Sequence, residues 1–408
     1  MQLHDLTAIE AADDPATLPP LLGVPTAIKD LNLTKGIVTQ LGSRVYTDNV
    51  STLDDYIVES LREAGTISLG KTATPEFGLP CYTETDIGPP ACTPWDPARS
   101  AGGSSGGAAA AVAGGFVPFA QGSDGGGSIR IPASACGLVG LKTSRGRVSK
   151  GPLDVDATWL AVLGPLARTV RDAAAFLDAV AAPGRVTPDP LPLPGEPFRI
   201  ACDREPGRLR IGRFIEAPIE SDVDPQVRDA WEQASRLLAD LGHEVLDIDS
   251  PMPPDAVPAF ETAWAVSATG APVDPARESE LRPLTRHLRE RGRAISGPQY
   301  AGHRRARGVL TPGHRRDGAP ARRAHPDVGP AAAADRLVRP GRRPGSGLRA
   351  ADAIHPVHRR GERHRPAGHL AAAVPERRGP ADRRDAGRTA RRRATLLRLG
   401  AQLEAALP

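Results

Sequence analysis

Helix-like and strand-like segments alternate along residues 21–300, and this alternation predicts an α/β fold with a mixed central sheet flanked by helices. Three observations carry the prediction. Helices with start and stop signals recur, short apolar strands follow them, and the hydrophobic content of 40% is enough for a sizeable core although aromatics are only 4%. No internal repeat breaks the pattern.

The elements follow in order. "STLDDYIVESLREAG" reads as a helix, with Thr52 and Asp55 as a capping box and Gly65 where a left-handed C′ residue belongs. "TISLG" is a short buried strand. "GGAAAAVAGG" is a helix of small residues that can pack closely, and "FVPFAQGSD" is a strand leading to a Gly turn. "ARTVRDAAAFLDAVA" is a second capped helix, with Thr169 and Asp172 as its box. "DPQVRDAWEQASRLLADLGHEVLDID" gives helix, Gly stop and strand.

Residues 1–20 are polar and rich in Ala and Pro, and are expected to be a disordered lead-in. After about residue 300 the α/β grammar stops. Residues 301–408 hold 25 Arg, no Lys and 9 acidic residues, a net charge of about +16, against about −12 for the first 300. The overall +4 is therefore set by the tail and says nothing of the body. No Phe, Tyr or Trp occurs in the tail. Such a segment buries too little apolar area to offset its ordering entropy, so 301–393 is expected to be disordered, while "ATLLRLGAQLEAA" within 394–408 reads as a helix.

Cys81, Cys92, Cys136 and Cys202 show no CxxC spacing and no accompanying His cluster, so neither a zinc site nor a disulfide framework is suggested. The longest apolar stretch, Ala108 to Ala120, is broken by Gly and Pro and is too short to span a bilayer. A cytoplasmic protein with no metal and no cofactor is expected.

One motif is dismissed. "GTISLGKT", Gly65 to Thr72, fits the phosphate-loop pattern GxxxxGK[ST]. A phosphate cradle needs a strand before the first Gly and a helix starting at the Lys. Here a helix precedes Gly65 and Pro75 follows Lys71, so a helix stop and a buried strand account for it.

"ARSAGGSSGGAAAAVAGGFVPFAQGSDGGGSIRIPASACG", Ala98 to Gly137, holds two serine-bearing glycine clusters, each beside an apolar element. A flexible linker would be polar throughout. Consecutive glycines before Ser128 let backbone N–H groups converge on one point, a nest suited to a developing oxyanion. By residues alone, this pattern fits a nucleophile loop and a structural Gly-rich turn alike. His4, His243 and His287, the histidines of the body, sit in no recognisable motif. A lysine serves as base if desolvation leaves it neutral. Lys29, after an apolar run and before Asp30, fits such a base, but taken alone a lysine in that setting is more often a snorkelling or ion-paired residue.

The motifs "GVPTAIKD", "GKTATPEFG", "PWDPARSAGGSSGGAAAAVAGG", "QGSDGGGSIRIPASACGLVGLK" and "GPLARTVRDAA" together resemble the amidase signature family in order and spacing. The resemblance runs from about Leu21 to Ala182 and more weakly to about Tyr300. It implies the amidase-signature fold and hydrolysis of a carboxylic amide through a Ser–cis-Ser–Lys triad and an acyl-enzyme. It assigns Ser128 as nucleophile, Ser104 as the bridging cis serine and Lys29 as base. Gly125, Gly126, Gly127 and Ser128 would supply the oxyanion-hole amides. Ser105, Ser123, Asp124 and Arg130 would support the site. A small-molecule amide is the implied partner, with a homodimer compatible and with neither membrane nor nucleic acid expected. The likeness of "ARSAGGSSGG" and "GSIRIPASACG" is to stand-alone amidases; the A subunit of glutamyl-tRNA amidotransferase, which shares the triad, is the alternative.

The chain departs from the family at both ends. Only 28 residues precede Lys29, which reads as a shortened start. The family's late strand motifs are missing from the tail. One permitted codon choice for "IHPVHRRGERHRPAGHL", read one base later, gives "STPFTAVANVTGQPAI"; "GPADRRDAGRT" likewise can yield "GLPIGVMLVG". Both are family-like, so a frameshift near 301–308, restored near 391–394, is expected, with an inactive, pseudogene-like product as the non-enzyme alternative. An Arg-rich arm contacting phosphates is the rival reading, but it lacks the aromatic interleaving of a single-strand binder.

Overall fold

The computed structural model describes residue 14, residues 17–302 except 154–157, 182–184, 186–189, 218, 220 and 252–255, a strand at 322–324 and residues 383–407. The elements run β1 (Pro25–Lys29), α1 (Tyr56–Glu63), β2 (Ile67–Thr72), β3 (Cys92–Thr93), β4 (Asp96–Ser100), α2 (Gly106–Ala113) and β5 (Phe119–Asp124). Next come α3 (Arg130–Cys136), β6 (Val139–Gly140), β7 (Val162–Ala167), α4 (Val170–Val180), α5 (Phe198–Ala201) and β8 (Arg210–Arg213). The chain continues with α6 (Pro225–Asp240), β9 (Glu244–Asp247), α7 (Ala256–Ala268), α8 (Pro283–Arg293), β10 (Arg322–Ala324) and α9 (Arg383–Ala406).

The sheet is mixed and divided into ladders. β1 pairs in parallel with β2, placing Lys29 opposite Thr72, with a register shift between Thr26 and Ile28. β7 lies between β5 and β6 in an antiparallel ladder. β8 pairs in parallel with β9 and β10. β1 and β5 run side by side and are tied by side chains: Thr26 Oγ1 donates to Phe119 O at 3.3 Å, and Lys29 N donates to Gln121 Oε1 at 2.9 Å. Lys71 lies inside β2, with no helix beginning at it, and its ammonium pairs with Asp30. That is a strand lysine, not a phosphate-loop lysine.

Local signals have mixed outcomes. α1 ends as its Gly65 predicts: Gly65 has φ +89°, its N–H donates to Arg62 O, and Thr66 N–H donates to Leu61 O, which satisfies two terminal carbonyls. Its start differs from expectation. The N-cap is Asp55, without a side-chain cap, and Thr52 does not form the box. The Asp55 carboxylate instead accepts from Asn32 Nδ2 (2.8 Å) and Leu33 N (2.9 Å), because these donors follow Lys29 in a buried loop. α4 is capped as expected, Thr169 Oγ1 accepting from Asp172 N at 3.0 Å.

Three apolar packs hold the body together. One joins α1, α4 and β5 through Ile57, Leu61, Phe119, Phe176 and Leu177. A second packs α2 on β5 and α3 with small residues, Ala108, Ala109 and Val112 meeting Ala120, Ile129 and Ala133. A third joins α7 and α8 to the loop after β2 through Trp264, Leu288 and Leu79.

Two stretches within 301–393 are among the described residues. Arg322–Ala324 is extended and pairs with β8, whose open edge offers unpaired backbone groups. α9 begins at Arg383 rather than 394, since Ala, Arg and Leu are strong helix formers. Its Leu397 joins the α4 core, and Leu399 and Leu403 pack against Ile211 and Leu238. Glu404 accepts from Val170 N at 3.2 Å, at the start of α4. The other expectations for 301–393, the frameshift among them, and those for residues 1–13, 15 and 16 lie outside the described residues.

Candidate active site

Lys29 is the last residue of β1 and is fully buried. Its Nζ lies 2.8 Å from Ser104 Oγ, 2.9 Å from Ser105 Oγ and 3.0 Å from Ser123 Oγ. Among the described residues no carboxylate is hydrogen-bonded to it. Burial pulls its pKa down to about 7, against a smaller opposing effect of the Asp124 charge. The cause is desolvation: an ammonium surrounded only by hydroxyls is poorly solvated, and the neutral amine is favoured.

Ser104 and Ser105 precede α2, and the Gly103–Ser104 peptide bond is cis. Ser105 Oγ donates to Ser123 O at 3.3 Å, so its own proton is engaged and it faces Nζ as an acceptor. Ser128 lies just before α3 and is buried. Its carbonyl accepts from Ser105 N at 3.2 Å, which ties the two serine turns together by backbone.

Asp124, at the end of β5, is the second buried charge. Its carboxylate pairs with Arg130 Nε at 2.9 Å and Lys142 Nζ at 2.7 Å. It also accepts from Gly127 N at 2.8 Å and Ile129 N at 3.3 Å. Burial alone would raise its pKa, but Lys142 and Arg130 hold it well below the usual carboxylate range. Asp124 thereby shapes the glycine turn from within. One expectation is corrected here. The Gly127 N–H is committed to Asp124, so it is not available to an oxyanion; Gly125, Gly126 and Ser128 remain as amide candidates.

The outer side of that turn is aromatic. A Cβ on Gly125 would come within 2.8 Å of the Trp264 ring, and one on Gly126 within 2.8 Å of Phe260. Both positions require glycine because α7 packs directly on the turn. Phe260 and Trp264 are stacked with centroids 5.2 Å apart, and Trp264 Nε1 donates to Leu79 O at 3.1 Å. Leu160 and Phe77 belong to the same apolar cluster and are partly exposed.

Every residue assigned from the motifs thus falls at one end of β1 and β5. Sequence reasoning missed Lys142, Gln121 and the Phe260–Trp264 pair. Lys142 carried a weak signal as one of only five lysines in the chain. The aromatic pair carried one too, as two rings at helical i, i+4 spacing in "FETAW".

Among the described residues no cluster of three or more His, Cys, Asp or Glu is arranged to hold a metal ion, and no helix is long and apolar enough to cross a membrane.

The chain is 42% identical over 264 residues to a putative amidase of Synechocystis sp., covering 63% of this chain and 51% of that protein. It is 42% identical over 244 residues to the A subunit of a glutamyl-tRNA(Gln) amidotransferase from Synechococcus sp., covering 60% and 50%. Its structure is similar to that of 6-aminohexanoate cyclic dimer hydrolase, with a TM-score of 0.65 at 32% identity over 71% of this chain and 63% of that one. The chain spans about half the length of these two curated relatives. The amidase family model matches residues 3–295, and with the Lys29, Ser104 and Ser128 motifs in family order the chain belongs to the amidase signature family.

Proposed function

We propose that the chain hydrolyses a linear or cyclic carboxylic amide with Ser128 as nucleophile, Ser104 as proton relay and Lys29 as general base. The observation that carries this reading is the fully buried Lys29 amine, set among three hydroxyls with a pKa of about 7. In the neutral amine two N–H groups face Ser105 and Ser123, and the lone pair accepts from the Ser104 hydroxyl. The Ser104 proton moves to Nζ while Ser104 Oγ takes the proton of Ser128. Ser128 Oγ then attacks the amide carbonyl carbon. The N–H groups of Gly125, Gly126 and Ser128 receive the oxyanion, each such donor being worth about 3–4 kcal/mol in acyl transfer. Collapse breaks the C–N bond, and the proton held on Lys29 returns through Ser104 to the leaving amine. Water repeats the sequence on the ester, releasing the acid and restoring Ser128.

The partly exposed apolar side chains of Phe77, Leu160 and Phe260 favour an uncharged acyl chain beside Ser128. The test is hydrolysis of a panel of small aliphatic, aryl and cyclic amides, with an acyl-enzyme trapped on Ser128 and identified by mass spectrometry. Turnover abolished in Ser128→Ala and Lys29→Ala supports the reading. Turnover that survives either substitution overturns it. Amide formation from ammonia only in the presence of a second protein would instead favour the amidotransferase alternative.

A further inference from the structure

A chain of buried amides stands behind Lys29 and has no place in the proton path just described. Gln121 sits on β5 with no exposure. Its Oε1 accepts from Lys29 N at 2.9 Å, and its Nε2 donates to Asn32 Oδ1 and to Gly122 O, each at 2.9 Å. Asn32 Nδ2 in turn donates to Asp55 Oδ2 at 2.8 Å. The direction of the chain is fixed at both ends. A backbone N–H can only donate, and Asp55 Oδ2, which also takes the Leu33 N–H, serves as an acceptor, so neither amide can flip without setting two like groups face to face.

Gln121 and Ser123 lie two residues apart and share a face of β5. Lys29 is therefore held at both ends by that face: its main-chain N–H by Gln121, and its Nζ by Ser123. The ladder to β2 sets Lys29 opposite Thr72, beyond a register shift between Thr26 and Ile28, and Gln121 adds a second hold from β5 on the other side. We infer that Gln121 is a positioning residue, setting the height of Lys29 along β5 so that the amine meets Ser104, with Asn32 and Asp55 fixing the orientation of the Gln121 amide. This inference rests on the reading of Lys29 as base.

The charged groups near Lys29 are Asp124 on β5, bound by Arg130 of α3 and Lys142 after β6, and Asp30 paired with Lys71 of β2. Ser104 and Ser105 before α2 add only hydroxyls. A carboxylate at position 121 would be a new negative charge in this setting.

The test follows phosphonylation of Ser128 by a fluorophosphonate against pH, a readout that needs no knowledge of the substrate. Gln121→Met keeps the volume and removes the acceptor; labelling at pH 7.5 is expected to fall about 10- to 100-fold in chain that is still folded, with a Tm lowered by the unpaired Lys29 N–H and Asn32 Oδ1. Gln121→Glu restores the acceptor. Its second oxygen faces the acceptors Asn32 Oδ1 and Gly122 O, so only part of the rate is expected to return, and the new charge is expected to move the acid limb upward by about one pH unit. Wild-type rate and an unmoved limb in both variants overturn the positioning role while leaving the proposed function standing. A wild-type chain unlabelled at Ser128 defeats the proposed function itself, and this inference with it. Should neither variant fold, amide exchange in the wild-type chain decides: slow exchange at Lys29 N–H supports the contact, and fast exchange there overturns it.

Discussion

Lys29 and Asp124 end neighbouring strands, both with side chains wholly out of solvent, and the protein treats the two charges in opposite ways. Asp124 is given two cations and two backbone N–H groups and keeps its charge. Lys29 is given three hydroxyls and no hydrogen-bonded carboxylate, and it loses its charge near neutral pH. The lesson concerns partners rather than depth. Equal burial holds a structural charge where counter-ions follow it, and yields a proton acceptor where only neutral dipoles do.

The sharpest way to break this comparison is substitution at each pole. Ser128→Ala and Lys29→Met are expected to lower amidase turnover by about 10⁶-fold, as for other nucleophile and base removals, measured with the best amide of the panel. Lys29→Met should change unfolding free energy by only about 1 kcal/mol, since the three hydroxyls can pair with one another. Asp124→Asn should do the reverse to stability. It leaves the partly buried Arg130 and Lys142 beside a neutral amide, and a loss of about 3 kcal/mol is expected in a denaturant titration. Equal stability losses at both positions would erase the distinction.

The pH dependences should also diverge. The folded pKa of Lys29 is lowered, so the unfolded chain binds more protons between about 7 and the ordinary lysine value. Its contribution to stability therefore rises with pH across that window. Asp124 has a depressed folded pKa, so its contribution is present above the ordinary carboxylate range and is lost as pH falls from that range down through the lower folded value. For catalysis, kcat/KM should climb through an acid limb near pH 7 and vary little above it. A limb near the ordinary carboxylate range would assign the base elsewhere. A smaller effect is expected from the aromatic wall: Phe260→Ala should raise KM for apolar amides several-fold and cost about 1 kcal/mol of stability through the lost stack on Trp264.

Much of this site was legible in the chain. Ser104, Ser105, Ser123, Asp124 and Ser128 lie in two glycine-rich runs whose composition fits no linker, and Lys29 ends an apolar strand. The motif order supplied the rest of the assignment. What stayed hidden is what sequence periodicity does not encode. Gln121 reads as one polar residue in a strand, and its meaning depends on a contact 92 positions away. Lys142 becomes a partner of Asp124 only through the turn between α3 and β6. Gly127 looks equivalent to its neighbours, yet its N–H is taken by Asp124. Thr52 failed as a cap for a similar reason, because Asp55 is drawn to Asn32 and Leu33. α7 and α8 carry fewer such signals than the helices read from the chain, yet Phe260 and Trp264 wall the glycine turn.

The chain has five lysines, so the state of Lys29 can be observed directly. With lysine labelled by ¹³C at Cε, one of five resonances should titrate near pH 7 and be missing from Lys29→Met. A Lys29 resonance titrating near the ordinary lysine value would mean a charged amine at neutral pH, and would contradict the account of Lys29 as the base.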